Sequence, residues 1–161
     1  MDLILFNTKA KIGHHGFYYS RLLNMMLSHR IELDPTNAQA THLAQAAGVA
    51  RFAYNWALGL WHDIYQLHKL DPDVAPTSEA ELRRALNALK REQFPWMLKV
   101  TKCAPQMAIK NLGKAFDNFF AGHSGYPRFK VKDRDDRFTL SNDQFRVDGS
   151  RIHIPKLKWV R

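Results

Sequence analysis

Along residues 27–33 hydrophobic and polar positions alternate: Leu27, His29, Ile31 and Leu33 share one side, and Ser28, Arg30 and Glu32 the other. A period of two predicts a strand with one buried face. Pro35 stops it, and Thr36 followed by Gln39 forms a capping box that predicts a helix over about 37–47. Gly48 predicts a bend. A second helix follows over about 49–67, with Val49, Ala53, Trp56, Leu60, Ile64 and Leu67 inward and Arg51, Asn55 and His62 elsewhere on its surface. The turn-rich HKLDPDVAPTS predicts a loop, and Ser78 with Glu81 forms a second capping box. That box opens a third helix to about Arg91, with Leu82, Ala85, Leu86 and Leu89 inward.

After the break at QFPW, TKCAPQMAIKNLGKAFDNFF predicts a fourth helix to about Ala121. At 100° per residue, Ala108, Leu112, Ala115 and Phe119 form an apolar stripe. Gln106, Lys110 and Asp117 lie opposite, joined by Lys102 if the helix begins before Pro105. Beyond Gly122 the period returns to two and predicts short strands at Phe138–Leu140, Phe145–Val147 and Ile152–Ile154. Asp148-Gly149 between the last two predicts a type I′ hairpin turn with positive φ at both central residues, and Pro155 a strand end. The order of strand, helices and strands gives an α+β fold in which residues 27–33 pair with the carboxy-terminal sheet.

Four segments follow: a poorly patterned leader (1–24), a first strand (25–34), a helical bundle (35–122) and a β subdomain (123–161). The leader has a break at Gly13 to Gly16, and its adjacent His14 and His15 have no third ligand nearby to make a metal site. Because Met25 and Met26 directly precede the first patterned segment, the expectation is that translation starts there and the leader is not native.

Composition narrows the function. At 161 residues with 45% hydrophobic content the chain can bury a substantial core. A single cysteine, Cys103, excludes an internal disulfide and a cysteine-rich zinc site, and suits a reducing cytoplasm. No run approaches the roughly 18 apolar residues of a membrane helix. The net charge is +9 and lies carboxy-terminally: residues 99–161 hold 14 Lys or Arg against 6 Asp, net +8. Such a block attracts polyanions by counterion release, although a basic surface also serves solubility.

Catalytic signatures are thin. There is no Gly-rich phosphate loop, Gly-x-Ser-x-Gly elbow or His-Glu-x-x-His pair. Asp133, Asp135 and Asp136 interleave with Lys132, Arg134 and Arg137, which favours a charge-paired turn over a metal site. His42, His62 and His68 share no evident face. Nucleic-acid binding has better candidates. In GYPRFKVK, Arg128, Lys130 and Lys132 can hold phosphates while Tyr126 or Phe129 stacks; equally, Tyr126, Pro127 and Phe129 can pin helices to sheet. Arg51, Tyr54 and Asn55 form a polar edge in RFAYNWAL, a stretch that also fits aromatic core packing.

Taken together, ELDPT, ARFAYNWAL, LRRALNALKREQFPW, TKCAPQMAIKNLGKAFDNFFAG, GYPRFK, FTLSNDQF and IPKLKWVR resemble, in order, the amino-terminal part of TnpB (OrfB) proteins of bacterial transposons. That family also carries the description of transposases with a helix-turn-helix start. The resemblance implies RNA-guided DNA recognition, with guide RNA and double-stranded DNA as partners. It implies a four-helix recognition bundle inserted into a small, incomplete, wedge-like antiparallel β-barrel. It also places Lys102 and Gln106, with Ser141 and Asn142, near the duplex beside the target, and Lys110 continues that polar ridge. The family's nuclease carboxylates and zinc-binding cysteines follow the PKLKWVR region, where this chain ends. The expectation is therefore a nucleic-acid-binding fragment without its own nuclease centre, cofactor, metal, membrane or small-molecule substrate. Its sheet would then carry an unpaired edge. Two alternatives stay open: a stand-alone helix-turn-helix protein using the Gly48 bend as a dimer on a palindrome, and a transposon relic or helical interaction module with no nucleic-acid role. The sequence assigns no oligomeric state.

Overall fold

Thr36 begins the longest element of the computed structural model, which describes residues 2–7 and 27–161. The Thr36 hydroxyl accepts from the Gln39 amide at 3.4 Å, and the Gln39 side chain accepts from the Thr36 amide at 3.0 Å. From this predicted cap α1 runs without interruption over Asn37–Leu70. The two helices expected on either side of Gly48 are one. A glycine inside a helix costs only about 1 kcal/mol relative to alanine. Here its neighbours Ala46, Ala47, Val49 and Ala50 are all buried, and that burial outweighs the cost. The helix is about 51 Å long at 1.5 Å per residue.

The second capping box also forms: the Glu81 side chain accepts from the Ser78 amide at 2.8 Å and opens α2, Glu79–Leu89. Those bonds from Ser78 hold the Glu81 carboxyl below the usual carboxylate range. A 3₁₀ turn over Pro95–Lys99 follows, then α3, Cys103–Phe120. The bundle thus has three α-helices, where four were expected. In α3 the stripe is broader than predicted: Ala104, Ala108, Ile109, Leu112 and Phe116 are buried, with Phe119 packed at the margin. Gly113 is needed where it stands, since a Cβ there would lie 2.9 Å from the Glu79 Cβ. The first turn of α2 presses on α3 at that point.

β1 (Asp2–Asn7) pairs antiparallel with β2 (Leu27–Glu32), from Asp2 opposite Glu32 to Asn7 opposite Leu27. β2 therefore pairs within a two-stranded sheet, and residues 2–7, for which the pattern predicted nothing, supply its partner. The predicted link to the carboxy-terminal sheet survives only just beyond β2, where the Asp34 amide donates to the Arg161 carbonyl at 2.7 Å. The predictions at Gly13 to Gly16, His14, His15, Met25 and Met26 lie outside the described residues.

The second sheet has the order β3 (Arg146–Asp148), β4 (Arg151–Ile154), β5 (Lys158–Val160), all antiparallel. The strand expected at Phe138 and Leu140 is absent; that stretch is irregular, and Phe138 instead touches both cores. Asp148 pairs with Arg151, so the turn residues are Gly149 and Ser150. Only Gly149 has positive φ, at 53°, the pattern of a type II′ turn and not of the predicted I′. Neither sheet closes into a barrel among the described residues.

Two cores result. The larger joins Ala46–Leu58 of α1 to Leu82 and Leu86 of α2 and to the inner face of α3; the smaller gathers Leu33, Leu43, Ile152, Ile154 and Val160. Helix α1 contributes to both, so its continuity fixes the bundle relative to the sheet. Among the described residues no helix is long and apolar enough to cross a membrane.

Candidate nucleic-acid interface

Lys102 ends the approach to α3 as its N-cap, in helical conformation and without a side-chain cap bond. One turn on, Gln106 is half-buried, and a turn later Lys110 is exposed. The predicted polar ridge exists. Lys102 and Gln106 also line one wall of a groove of about 220 Å³, whose other wall is Arg83 and Asn87 of α2 with its C-cap Lys90, and whose floor includes Leu86, Met97 and Ile109. These α2 residues were missed by the sequence reading. Their spacing of four and three in LRRALNALK puts them on one helix face, but only the packing of α2 on α3 turns that face toward Gln106.

Ser141 lies against the start of α3, with its hydroxyl 3.5 Å from the buried Cys103 Sγ. The neighbouring Asp143 carboxyl is held below the usual range by hydrogen bonds from the side chains of Ser141 and Gln144, with the Lys102 charge adding to the effect. The Ser141-Asn142 turn and Lys102 thus meet at one end of α3.

The second predicted set converges elsewhere, in a recess of about 340 Å³ lined by Arg51, Tyr54, Asn111, Lys130, Asp135 and Arg137 among others. Its members hold each other. The Asn55 amide donates to the Lys130 carbonyl at 2.9 Å and accepts from the Lys130 amide at 2.7 Å. Arg51 pairs with Asp136, and the Lys130 ammonium sits 5.0 Å from the Tyr54 ring centre. Burial, then the Asp135 charge, raises the Tyr54 hydroxyl pKa. Asp135 accepts from the Val131 amide at 3.0 Å and faces Lys130, Arg134 and Arg137 at 3.8, 3.5 and 3.6 Å. That amide bond first, then the nearby cations, lowers its pKa. Arg51, Tyr54, Asn55 and Lys130 therefore tie the 130–137 loop onto α1; Asp135 and Asp136 make the charge pairs expected of this turn, and Asp133 joins it through its amide, which donates to the Asp136 carboxylate at 2.9 Å.

Tyr126 is packed edge-on against Phe116 and Phe119, at 5.5 and 5.3 Å between ring centres, and its hydroxyl lies 3.3 Å from His62 Nδ1. Pro127 is buried. Tyr126 packs on the helices while 39% exposed, which fits both readings of GYPRFKVK. Phe129 is 57% exposed, and Arg128 and Lys132 are exposed beside it. Among the described residues no three His, Cys, Asp or Glu side chains are grouped to hold a metal.

The fold defines a class: a basic three-helix domain joined to a small antiparallel sheet, with a polar ridge on its last helix. Residues 25–69 match the helix-turn-helix domain family of OrfB proteins. Within those residues the structure has β2 and one unbroken helix up to the matched limit. The chain is 28% identical over 134 residues to an Escherichia coli protein named RNA-guided DNA endonuclease InsQ, covering 82% of this chain and 32% of that protein. It is 31% identical over 103 residues to a Streptomyces pristinaespiralis protein also named RNA-guided DNA endonuclease, covering 61% of this chain and 23% of the other. Virulence protein VsdF of Salmonella dublin is 31% identical over 117 residues, 67% of this chain and 95% of VsdF. The chain belongs to the TnpB (OrfB) family and corresponds to its amino-terminal region. It spans about a third or less of the length of the two endonuclease relatives.

Proposed function

We propose that this chain is the nucleic-acid-binding part of a TnpB-type, transposon-associated RNA-guided DNA endonuclease, working in the cytoplasm. In this reading α3 and the Ser141-Asn142 turn hold the duplex beside the target, and the basic carboxy-terminal half holds guide RNA. The observation that supports it is that Lys102 and Gln106 line one groove wall on α3, while Ser141 lies against Cys103 in the first turn of the same helix. The side chains have the chemistry for duplex reading, since a glutamine amide pairs with the major-groove edge of adenine and lysine contacts guanine or phosphate. Lys110 extends the ridge along the duplex backbone. Arg128 and Lys132 supply phosphate contacts and Phe129 a stacking face, on a loop that Arg51, Tyr54, Asn55, Lys130 and Tyr126 hold in place. The open sheet belongs to the wedge-like barrel that the family resemblance implies. This role is binding, and cutting is left to other parts of such proteins. A reader that swings a recognition helix about Gly48 has no bend to use, because α1 is continuous there.

The test is fluorescence anisotropy with labelled duplexes, a structured guide RNA and a scrambled RNA over graded salt. Salt-sensitive binding is expected, because phosphate contacts release counterions. Gln106→Ala should change the ranking among duplexes by about 1–3 kcal/mol, whereas Lys110→Ala should weaken all of them alike. Binding that ignores salt, or a ranking untouched by Gln106→Ala, refutes the reading.

A further inference from the structure

Helix α2 has no part in the reading above, yet it forms half of the groove that contains Gln106. Arg83, Asn87 and Lys90 face Lys102, Pro105, Gln106 and Ile109 across it. The lining has three cations and no acid. Glu79 lies just outside and takes only the Arg83 Nε, at 2.7 Å, so the terminal nitrogens of the guanidinium remain to fork an anion. Lys90 Nζ donates to Asn87 Oδ1 at 2.7 Å, which orders both side chains and leaves the Asn87 amide nitrogen as a donor. Beneath them Leu86, Met97 and Ile109 are 3%, 3% and 1% exposed, a firm floor that keeps the two walls apart.

Forked and single-point cationic donors set along a groove beside a base-reading glutamine match a phosphodiester backbone. We propose that Arg83, Asn87 and Lys90 hold the sugar-phosphate backbone of the duplex strand that Gln106 reads, so that α2 and α3 grip one strand between them. This rests on the reading of α3 as the duplex-facing helix. An acidic peptide would find the same cations, and an unchanged duplex salt slope in the α2 double variant is the outcome that would favour it.

The experiment measures duplex affinity of the full chain against salt concentration. Arg83→Gln with Lys90→Gln keeps two good helix formers and removes both charges. About 0.9 of a log–log slope unit is lost per phosphate contact, so the slope should fall by about two. Affinity should drop for every duplex, with the ranking among sequences preserved. Asn87→Ala should weaken binding without altering the slope. The control Lys69→Gln, which lies outside both the groove and the basic carboxy-terminal block, should leave the slope unchanged. An unchanged slope in the α2 double variant, while Gln106→Ala still alters the ranking, overturns the α2 assignment and leaves the α3 reading standing. An equal fall in the control also overturns it. If the wild-type chain binds no duplex, both fail together.

Discussion

Gly48→Ala isolates the continuity of α1. A Cβ built at Gly48 meets nothing within 4 Å, and the residue is absent from the glycines with positive φ, Gly122 and Gly149. The added methyl therefore meets no clash, and the helix gains the propensity difference between alanine and glycine, about 0.8–1.0 kcal/mol. Gly59 is an internal standard: it lies in the same helix, and its Cβ would also meet nothing within 4 Å. Urea unfolding followed by far-UV circular dichroism should show both variants with a raised midpoint and an unchanged m-value. For a chain of this size each should gain about 2–4 °C in Tm. At a helix-turn-helix bend the outcome reverses: alanine in a left-handed glycine conformation costs about 1–2 kcal/mol. A destabilised Gly48→Ala beside a stabilised Gly59→Ala would refute the unbroken helix. The coupling of the bundle to the sheet through Leu43 would fail with it.

Asn55→Ala removes both bonds to the Lys130 backbone, at 2.9 and 2.7 Å, and should cost about 2–3 kcal/mol in chemical denaturation, since two polar backbone groups lose their partner. A cost below about 0.5 kcal/mol would show that the loop is held by other contacts. Asp135→Asn tests the charge-paired turn through pH. The folded pKa of Asp135 is depressed, so its contribution is complete above the ordinary carboxylate pKa and is lost as pH falls through the folded value. The stability gap between wild type and Asp135→Asn should be widest near neutrality and close in acid; a gap independent of pH would contradict the assignment.

What could be read from the sequence was mostly local. Thr36 with Gln39 and Ser78 with Glu81 set two helix starts within four residues, and both caps form with the predicted partners. At Gly48 the local signal misled, because the buried alanines and valine around it belong to a core shared with α3. β5 was hidden because Trp159 and Val160 give a strand of three residues whose entry needs positive φ at Lys156 and Lys158, values of 70° and 68° that nothing in lysine announces. At the candidate site, Lys102 and Gln106 were visible on their own helix. The role of Asn55 was not, since its partner Lys130 lies 75 residues away. Arg83, Asn87 and Lys90 went unassigned because only the packing of α2 on α3 brings them to the Gln106 groove.

The most direct test of α3 as the DNA-facing helix is lysine acetylation footprinting by mass spectrometry, with and without saturating duplex. Duplex should slow modification at Lys102 and Lys110 and leave Lys69 and Lys158 reacting at their free rates. Lys102 and Lys110 reacting equally fast in both samples, or all four lysines slowed to the same degree, would contradict the assignment of α3.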